Sequence, residues 1–327
     1  MPQFCQSEQI VEGLHRINVP LPHNALKQIN TYLILGGNRP VLVDTGFNRP
    51  ECIQALSMAL AELGLGFGDI DILLTHLHPD HINAIEGIWQ EGMAIYAHSS
   101  SFSESRTMDT LWNGVIQCDG DSDYCAGIGA NDLAGLSSDL CPLQKEYPVT
   151  YLRDGQTFEC GRLSFEVIAT PGHDRTHICL YEPAEKIMIT GDHVLPRITP
   201  NVSSFSLSST DLRDYLESLD KVRAYDVALA LPSHGEMIAD LSGRVDELKR
   251  HYHNRVEEME GLVRAGHHGL VSIASHASWG HADWFSWDFG QQLLSLSETM
   301  AHLAFAIDRG DLRVTSDGAT KRLACTK

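Results

Sequence analysis

This 327-residue sequence lacks most of the marks of membrane, secreted and nucleic-acid-binding proteins. No run of eighteen apolar residues occurs, so no transmembrane helix is expected. The opening MPQFCQSEQI has no basic segment leading into an apolar one, so no secretory signal is expected either, and the expected compartment is the cytoplasm. The eight cysteines (Cys5, Cys52, Cys118, Cys125, Cys141, Cys160, Cys179, Cys325) include no CxxC pair. That spacing argues against a zinc ribbon or a dense disulfide framework and for reduced thiols. Positive charge is scarce: 24 Lys and Arg stand against 43 Asp and Glu, a formal net charge of -19, and the bases form no cluster. Such a surface repels a polyphosphate backbone, so nucleic acid is not an expected partner.

The sequence is rich in histidine, with 17 residues, and four potential metal ligands crowd into one turn. In the stretch DILLTHLHPDHINAIEG, residues 71–87, the apolar Ile72-Leu73-Leu74 reads as a buried strand, and His76, His78, Asp80 and His81 follow directly. A strand sends successive side chains to opposite faces, whereas the turn at its end aims several at one point. His76 and His78 suit one ion, Asp80 and His81 a neighbouring one.

The same pattern of a strand and then a ligand in a tight turn recurs downstream. The strand 163–169 runs into Thr170-Pro171-Gly172-His173, which offers a third histidine for the first ion. The strand 187–190 ends in Gly191-Asp192, whose two carboxylate oxygens suit a bridge between cations. The strand 227–231 ends in Pro232-Ser233-His234-Gly235, which completes the second set. Upstream, strand 40–43 ends in Asp44-Thr45-Gly46, where Asp44 either orients a ligand histidine or makes a structural turn. His177 is a candidate to orient a ligand, His193 reads as structural, and Arg197 is a candidate partner for a substrate carboxylate. Between these strands, residues 50–63 predict an amphipathic helix with Ile53, Leu56, Leu60 and Leu63 on one face and Gly64 to end it. Alternating strands and helices indicate an α/β fold. Residues 99–148 dissolve into Ser, Asp and Gly and read as an insertion and candidate lid, in which Trp112, Tyr124 and Leu133 are expected to pack on the surface, with lining of a substrate pocket as the alternative.

The motifs THLHPDH (75–81), TPGH (170–173), GD (191–192) and SHG (233–235) together resemble the metallo-β-lactamase superfamily, closest to its glyoxalase II-like and lactonase-like hydrolases. The resemblance covers about residues 10–240 and implies an αββα sandwich with a dinuclear centre at one edge of its two mixed sheets. By similarity His76, His78 and His173 hold one ion, Asp80, His81 and His234 the second, and Asp192 bridges. The implied cofactor is two divalent ions, zinc by default, with iron and manganese open. True β-lactamases usually carry cysteine where Asp192 stands, which argues against antibiotic hydrolysis. A metal-bridging hydroxide would attack a bound carbonyl, and Asp80 is the expected acid-base residue.

Beyond residue 242 the pattern changes. Val245, Leu248, Tyr252, Val256, Met259 and Val263 predict one helix and residues 291–308 a second, while segments 312–314 and 322–324 flank Ser316-Asp317-Gly318 like a wing. This resembles the small winged-helix-like appendage of some superfamily members. The expected domains are therefore 1–242, catalytic, and 243–327, mostly helical and serving to pack and close a pocket. His251, His253, His267, His268, His276 and His281 are read as surface or cap residues rather than a third metal site. The expected activity is hydrolysis of a small acyl compound, first a thioester, with a lactone as the alternative substrate. An RNA-processing metallo-nuclease is the alternative from another class, and charge counts against it. A small acyl substrate is the expected partner, with no membrane partner, and self-association into a homo-oligomer is left open.

Overall fold

The computed structural model describes residues 7–98, 143, 145–280, 283–317 and 320–326. The expected insertion, with Trp112, Tyr124 and Leu133, lies almost wholly outside them, as does His281. Contacts divide the chain into two units, one holding residues 7–98, 145–200 and 218–245, the other 201–217 and 246–326 among the described residues. The expected boundary after 242 thus differs from this division by a few residues. Segment 201–217, expected in the first domain, falls with the C-terminal residues.

The first unit carries two mixed sheets. Seven strands run in chain order: β1 (Glu8–Val11), β2 (Leu14–Pro20), β3 (Gln28–Ile34), β4 (Val41–Val43), β5 (Asp71–Leu73), β6 (Ile95–His98) and β7 (Val149–Leu152). The first four pair antiparallel and the rest parallel. The second sheet has the order β12-β11-β10-β9-β8, from β8 (Thr157–Cys160), β9 (Leu163–Ala169), β10 (Ile178–Glu182), β11 (Ile187–Gly191) and β12 (Leu229–Pro232). Only its β11-β12 pair is parallel.

Strand alternation sorts the apolar residues into two layers. Tyr32, Ile34, Val41 and Val43 pack with Phe165, Val167, Leu180 and Ile189 of the other sheet, so this core lies between the sheets. Their neighbours Leu33 and Leu42 face the opposite way and pack with Leu56 and Leu60 of α1 (Pro50–Glu62). Helix α1 starts with proline at its first turn, where no amide partner is lost. It ends at Gly64, whose φ of +73° allows the amides of Gly64 and Leu65 to reach back to Ala61 and Leu60. The sandwich with helices outside agrees with the expected architecture.

Hydrogen bonds between the sheets, and one between neighbouring strand ends of the second sheet, then bring the turns together. The Tyr32 hydroxyl and the Asn30 side-chain amide both donate to the Pro232 carbonyl, at 2.7 and 2.9 Å. The Ile178 amide donates to Thr75 at 2.8 Å, and the Ser233 amide to Gly191 at 3.0 Å. These bonds span up to about 200 residues of sequence and lock the turns after β5, β9, β11 and β12 into one neighbourhood.

The first unit also holds the short helices α2 (Pro79–Ile82) and α3 (Ile85–Ile88), and the division of the chain into units falls within α4 (Asp211–Arg223) and near the start of α5 (Leu241–Arg264). The predicted stripe of α5, from Val245 to Val263, is buried throughout. The second unit adds α6 (Leu270–His276), α7 (Phe289–Asp308) and the antiparallel hairpin β13 (Leu312–Asp317) and β14 (Thr320–Cys325). Asp288 caps α7 by accepting the Gln291 amide, while the Gln291 side chain accepts the Asp288 amide. Leu293, Leu296, Met300 and Leu303 of α7 are buried as their spacing predicts.

Candidate metal centre

All seven expected ligands meet at the strand ends. His76, His78 and His173 form one group of donors, Asp80, His81 and His234 a second, and His76, His81 and Asp192 a third, with the donor atoms of each group within 4.8 Å of one another. The Asp192 carboxylate lies between the sets: Oδ1 is 3.5 Å from His234 Nε2, and Oδ2 is 3.6 Å from His81 Nε2 and 3.7 Å from His173 Nε2. Asp80 Oδ2 stands 3.4 Å from His234 Nε2 and 3.9 Å from His81 Nε2.

The hydrogen bonds around these side chains fix which ring nitrogen is open. Asp44 accepts the Thr75 amide at 2.9 Å and the Thr75 hydroxyl at 2.7 Å. With its proton spent on the carboxylate, Thr75 Oγ1 accepts from His76 Nδ1 at 3.0 Å. Asp44 Oδ2 also accepts from His81 Nδ1 at 2.9 Å, and the Gln28 carbonyl accepts from His234 Nδ1 at 2.9 Å. Each ring therefore turns an Nε2 lone pair inward, as a metal ligand requires. Asp44 performs this task from the left-handed region, at φ +61°, a conformation that costs an aspartate about 1 kcal/mol or more.

His177 has a different role. Its Nε2 accepts the Asp192 amide at 3.1 Å, so its Nδ1 carries the proton and donates to Thr170 at 2.7 Å. Both nitrogens are used in holding the backbone of Asp192. Gly191 makes the approach possible: a Cβ there would stand 2.5 Å from His177 Nε2, and its φ is +51°. Arg197 is 80% exposed at its side chain and faces Glu236 at 3.5 Å. His193 is fully buried, and burial pushes it down to about 3, which keeps it neutral.

The donor set fits a pair of divalent cations on observations internal to the protein. The Nε2 atoms of His76, His81 and His234 and the Oδ1 of Asp192 are buried without a hydrogen-bond partner, which a native fold rarely tolerates. Donors around a tetrahedral ion with bonds of about 2.1 Å lie about 3.4 Å apart, close to the 3.4–3.9 Å seen here. Charge points the same way. Burial, and then the neighbouring histidines, push His76 well below the ordinary imidazole range, so it presents a lone pair. Burial raises Asp80 and Asp192, yet the positive charge that His81 and His234 carry when protonated outweighs it and holds both carboxylates ionised. A bound cation would supply that charge in place of the ring protons and leave each Nε2 its lone pair.

Sequence reasoning did not single out Thr75, Thr170 or the Gln28 carbonyl. The signal for the two threonines was present: each is the hydroxyl residue at a strand end just before the ligand turn. The Gln28 carbonyl carries no side-chain signal at all.

The residues 25–234 match the family model described as the metallo-beta-lactamase superfamily, which is well over half of the chain. A similar curated protein is the atrochrysone carboxyl ACP thioesterase of Emericella nidulans, 24% identical over 75% of this chain and 62% of that protein. The beta-lactamase-like protein 2 homolog of Caenorhabditis elegans is 27% identical over 84% of this chain and 79% of its own length. The chain spans 62–66% of the length of the first curated relatives it matches. Among solved structures, a metallo-beta-lactamase family protein from Thermus thermophilus superposes with a TM-score of 0.78 at 26% identity, covering 97% of this chain and all of that one.

Proposed function

The chain belongs to the metallo-beta-lactamase superfamily, and from that premise we propose that it is a dinuclear metal-dependent hydrolase of a small acyl compound, a thioester first. The observation that carries the proposal is the ring of buried, unpartnered Nε2 and carboxylate donors converging at the strand ends. His76, His78 and His173 would hold one ion, and Asp80, His81 and His234 the other, with Asp192 between them. Bound divalent ions supply a hydroxide at neutral pH and polarise a carbonyl for attack.

The chain's own residues do the rest. Asp44, through His81 and through Thr75 to His76, keeps two ligand rings in the required tautomer. His177 holds the backbone amide of Asp192, whose Oδ1 faces His234 of one ligand set while Oδ2 faces His173 of the other and also His81. Asp80 Oδ2 lies beside His234 and His81, and the side chain is 15% exposed, so this carboxylate has access to a proton on an incoming water or a departing group. The likeness to proteins named thioesterases supports the substrate class. The net charge of -19 supports a small substrate over RNA or DNA. No helix among the described residues is long and apolar enough to cross a membrane.

The test is a rate comparison on protein reconstituted with zinc, iron or manganese, over a panel of acyl thioesters, lactones, phosphodiesters and β-lactams. Thioester turnover that disappears on chelation and returns with metal is expected. Efficient cleavage of single-stranded RNA at low salt, with no acyl hydrolysis, would overturn the reading.

A further inference from the structure

The second unit contains another pair of histidines arranged like ligands. His267 lies in the turn before α6 and His276 is the last residue of that helix. The sequence reading gives both as surface or cap residues rather than a metal site, because no strand-end turn presents them. The fold instead brings them together: their ring centroids are 4.1 Å apart and the planes are inclined by 39°.

Ser272 ties down both rings on the same side. Its carbonyl lies 2.8 Å from His276 Nδ1, and since a carbonyl only accepts, that nitrogen carries the proton and Nε2 holds the lone pair. Its hydroxyl lies 2.9 Å from His267 Nδ1 and accepts from it in the matching tautomer. Both rings thus have Nδ1 anchored to an oxygen of one residue and the lone pair on Nε2, the arrangement that orients ligand histidines. This is also the arrangement of His76, His81 and His234 at the strand ends. Two imidazole nitrogens on a common ion are about 3 Å apart, within reach of rings this close.

We propose that His267 and His276 form a further site for a divalent late transition metal, with copper(II) held more tightly than nickel(II). Imidazole pairs suit these ions, and affinity follows the order nickel below copper. Among the described residues every group of three or more His, Cys, Asp or Glu donors lies at the strand-end centre, so water completes the coordination here. His276 is exposed and His267 half-buried, which leaves an approach for a hydrated ion.

The experiment uses the full chain, pre-saturated with zinc, and the His267→Gln/His276→Gln double variant treated in the same way. Copper(II) is titrated into both, and bound copper is read by equilibrium dialysis and by electron paramagnetic resonance. Wild type is expected to take up one more copper than the variant, with nitrogen hyperfine structure in its spectrum, and the variant to bind that equivalent at least about tenfold more weakly. The readout is the difference between the two proteins, so it does not depend on what the strand-end centre does. Equal copper uptake and equal spectra would overturn the proposal. Should the double variant fail to fold, peptide mapping of diethyl pyrocarbonate modification on wild type decides. Copper is then expected to protect His267 and His276 together, and unchanged modification of both would overturn the site.

Discussion

The strand-end centre and α7 both bury many polar side chains, yet they do so in opposite ways. In α7 the buried polar groups bond back to the helix that bears them: Ser295 to the Gln292 carbonyl, Ser297 to Leu294, Thr299 to Ser295 and His302 Nδ1 to Glu298. These bonds are local and leave a core. At the strand ends the polar groups bond away from a common point, to Asp44, Thr75 and Gln28, and their remaining donors converge within 4.8 Å. His302 Nε2 is also buried without a partner, but it joins no group of three donors. Burial of histidine is therefore no sign of a site; convergence of the open nitrogens is.

The sharpest break in the contrast is Asp80→Asn, which removes the charge of an open donor and keeps its shape. With His76, His78, His173 and Asp192 untouched, the fold and one ion are expected to survive while kcat falls about 10²–10⁴-fold, measured on the best thioester of the panel. Near-normal kcat would remove Asp80 from the chemistry. Next in size, Asp44→Ala frees two ligand rings from their anchors without touching a donor. Metal affinity is expected to fall about 10–100-fold by competition with a chelator, and a Thr75→Val variant should lose less, since only the His76 arm is cut. Unchanged affinity in both would show that the anchors are structural.

A third prediction concerns α7 and follows from the signs of two shifts. Burial pushes His302 down to about 3 from 6.5, so as pH falls through that window the unfolded chain takes up a proton that the folded one refuses. Stability present above 6.5 is lost on the way down, at about 1.4 kcal/mol per pH unit. Burial pushes Glu298 up to about 7 from 4.5, and here stability falls as pH rises through the window. The two oppose each other between 4.5 and 6.5. Substituting His302→Leu is expected to leave the Glu298 slope alone, so that denaturant midpoints decline with rising pH in that range; a slope identical to wild type would refute the assignment. The smallest effect belongs to Arg197→Ala. Its side chain is 80% exposed and its ion pair with Glu236 spans 3.5 Å, so melting temperature and KM should both stay near wild type. A large rise in KM would instead make Arg197 a substrate contact.

Much of this protein was legible from residue order. The spacing of His76, His78, Asp80 and His81 needs only one turn to bring them close, and His173, Asp192 and His234 each follow an apolar run that can only be a buried strand. The apolar periods of α1, α5 and α7 appear as predicted because a helix buries one stripe whatever its partner. Less legible was everything that depends on partners distant in sequence. Asp44 reads equally well as a turn former until His81 and Thr75 are placed on its two oxygens. His177 reads as a candidate to orient a ligand, and only the Asp192 amide on its Nε2 shows which one it serves. Segment 201–217 reads as part of the first domain, but its contacts lie with the C-terminal residues, including the Ser204 amide on the Ser297 carbonyl.

The sequence by itself determined which residues could serve as donors and that they stand at strand ends, because ligand type and strand period are local properties. Only the tertiary structure decided which nitrogen carries the lone pair in His76, His81, His177 and His234. That choice is made by the oxygen on the other side of the ring, Asp44, Thr75, Thr170 or a backbone carbonyl, and apart from Thr75 beside His76 and Thr170 seven residues before His177, those oxygens arrive from strands far away in the chain.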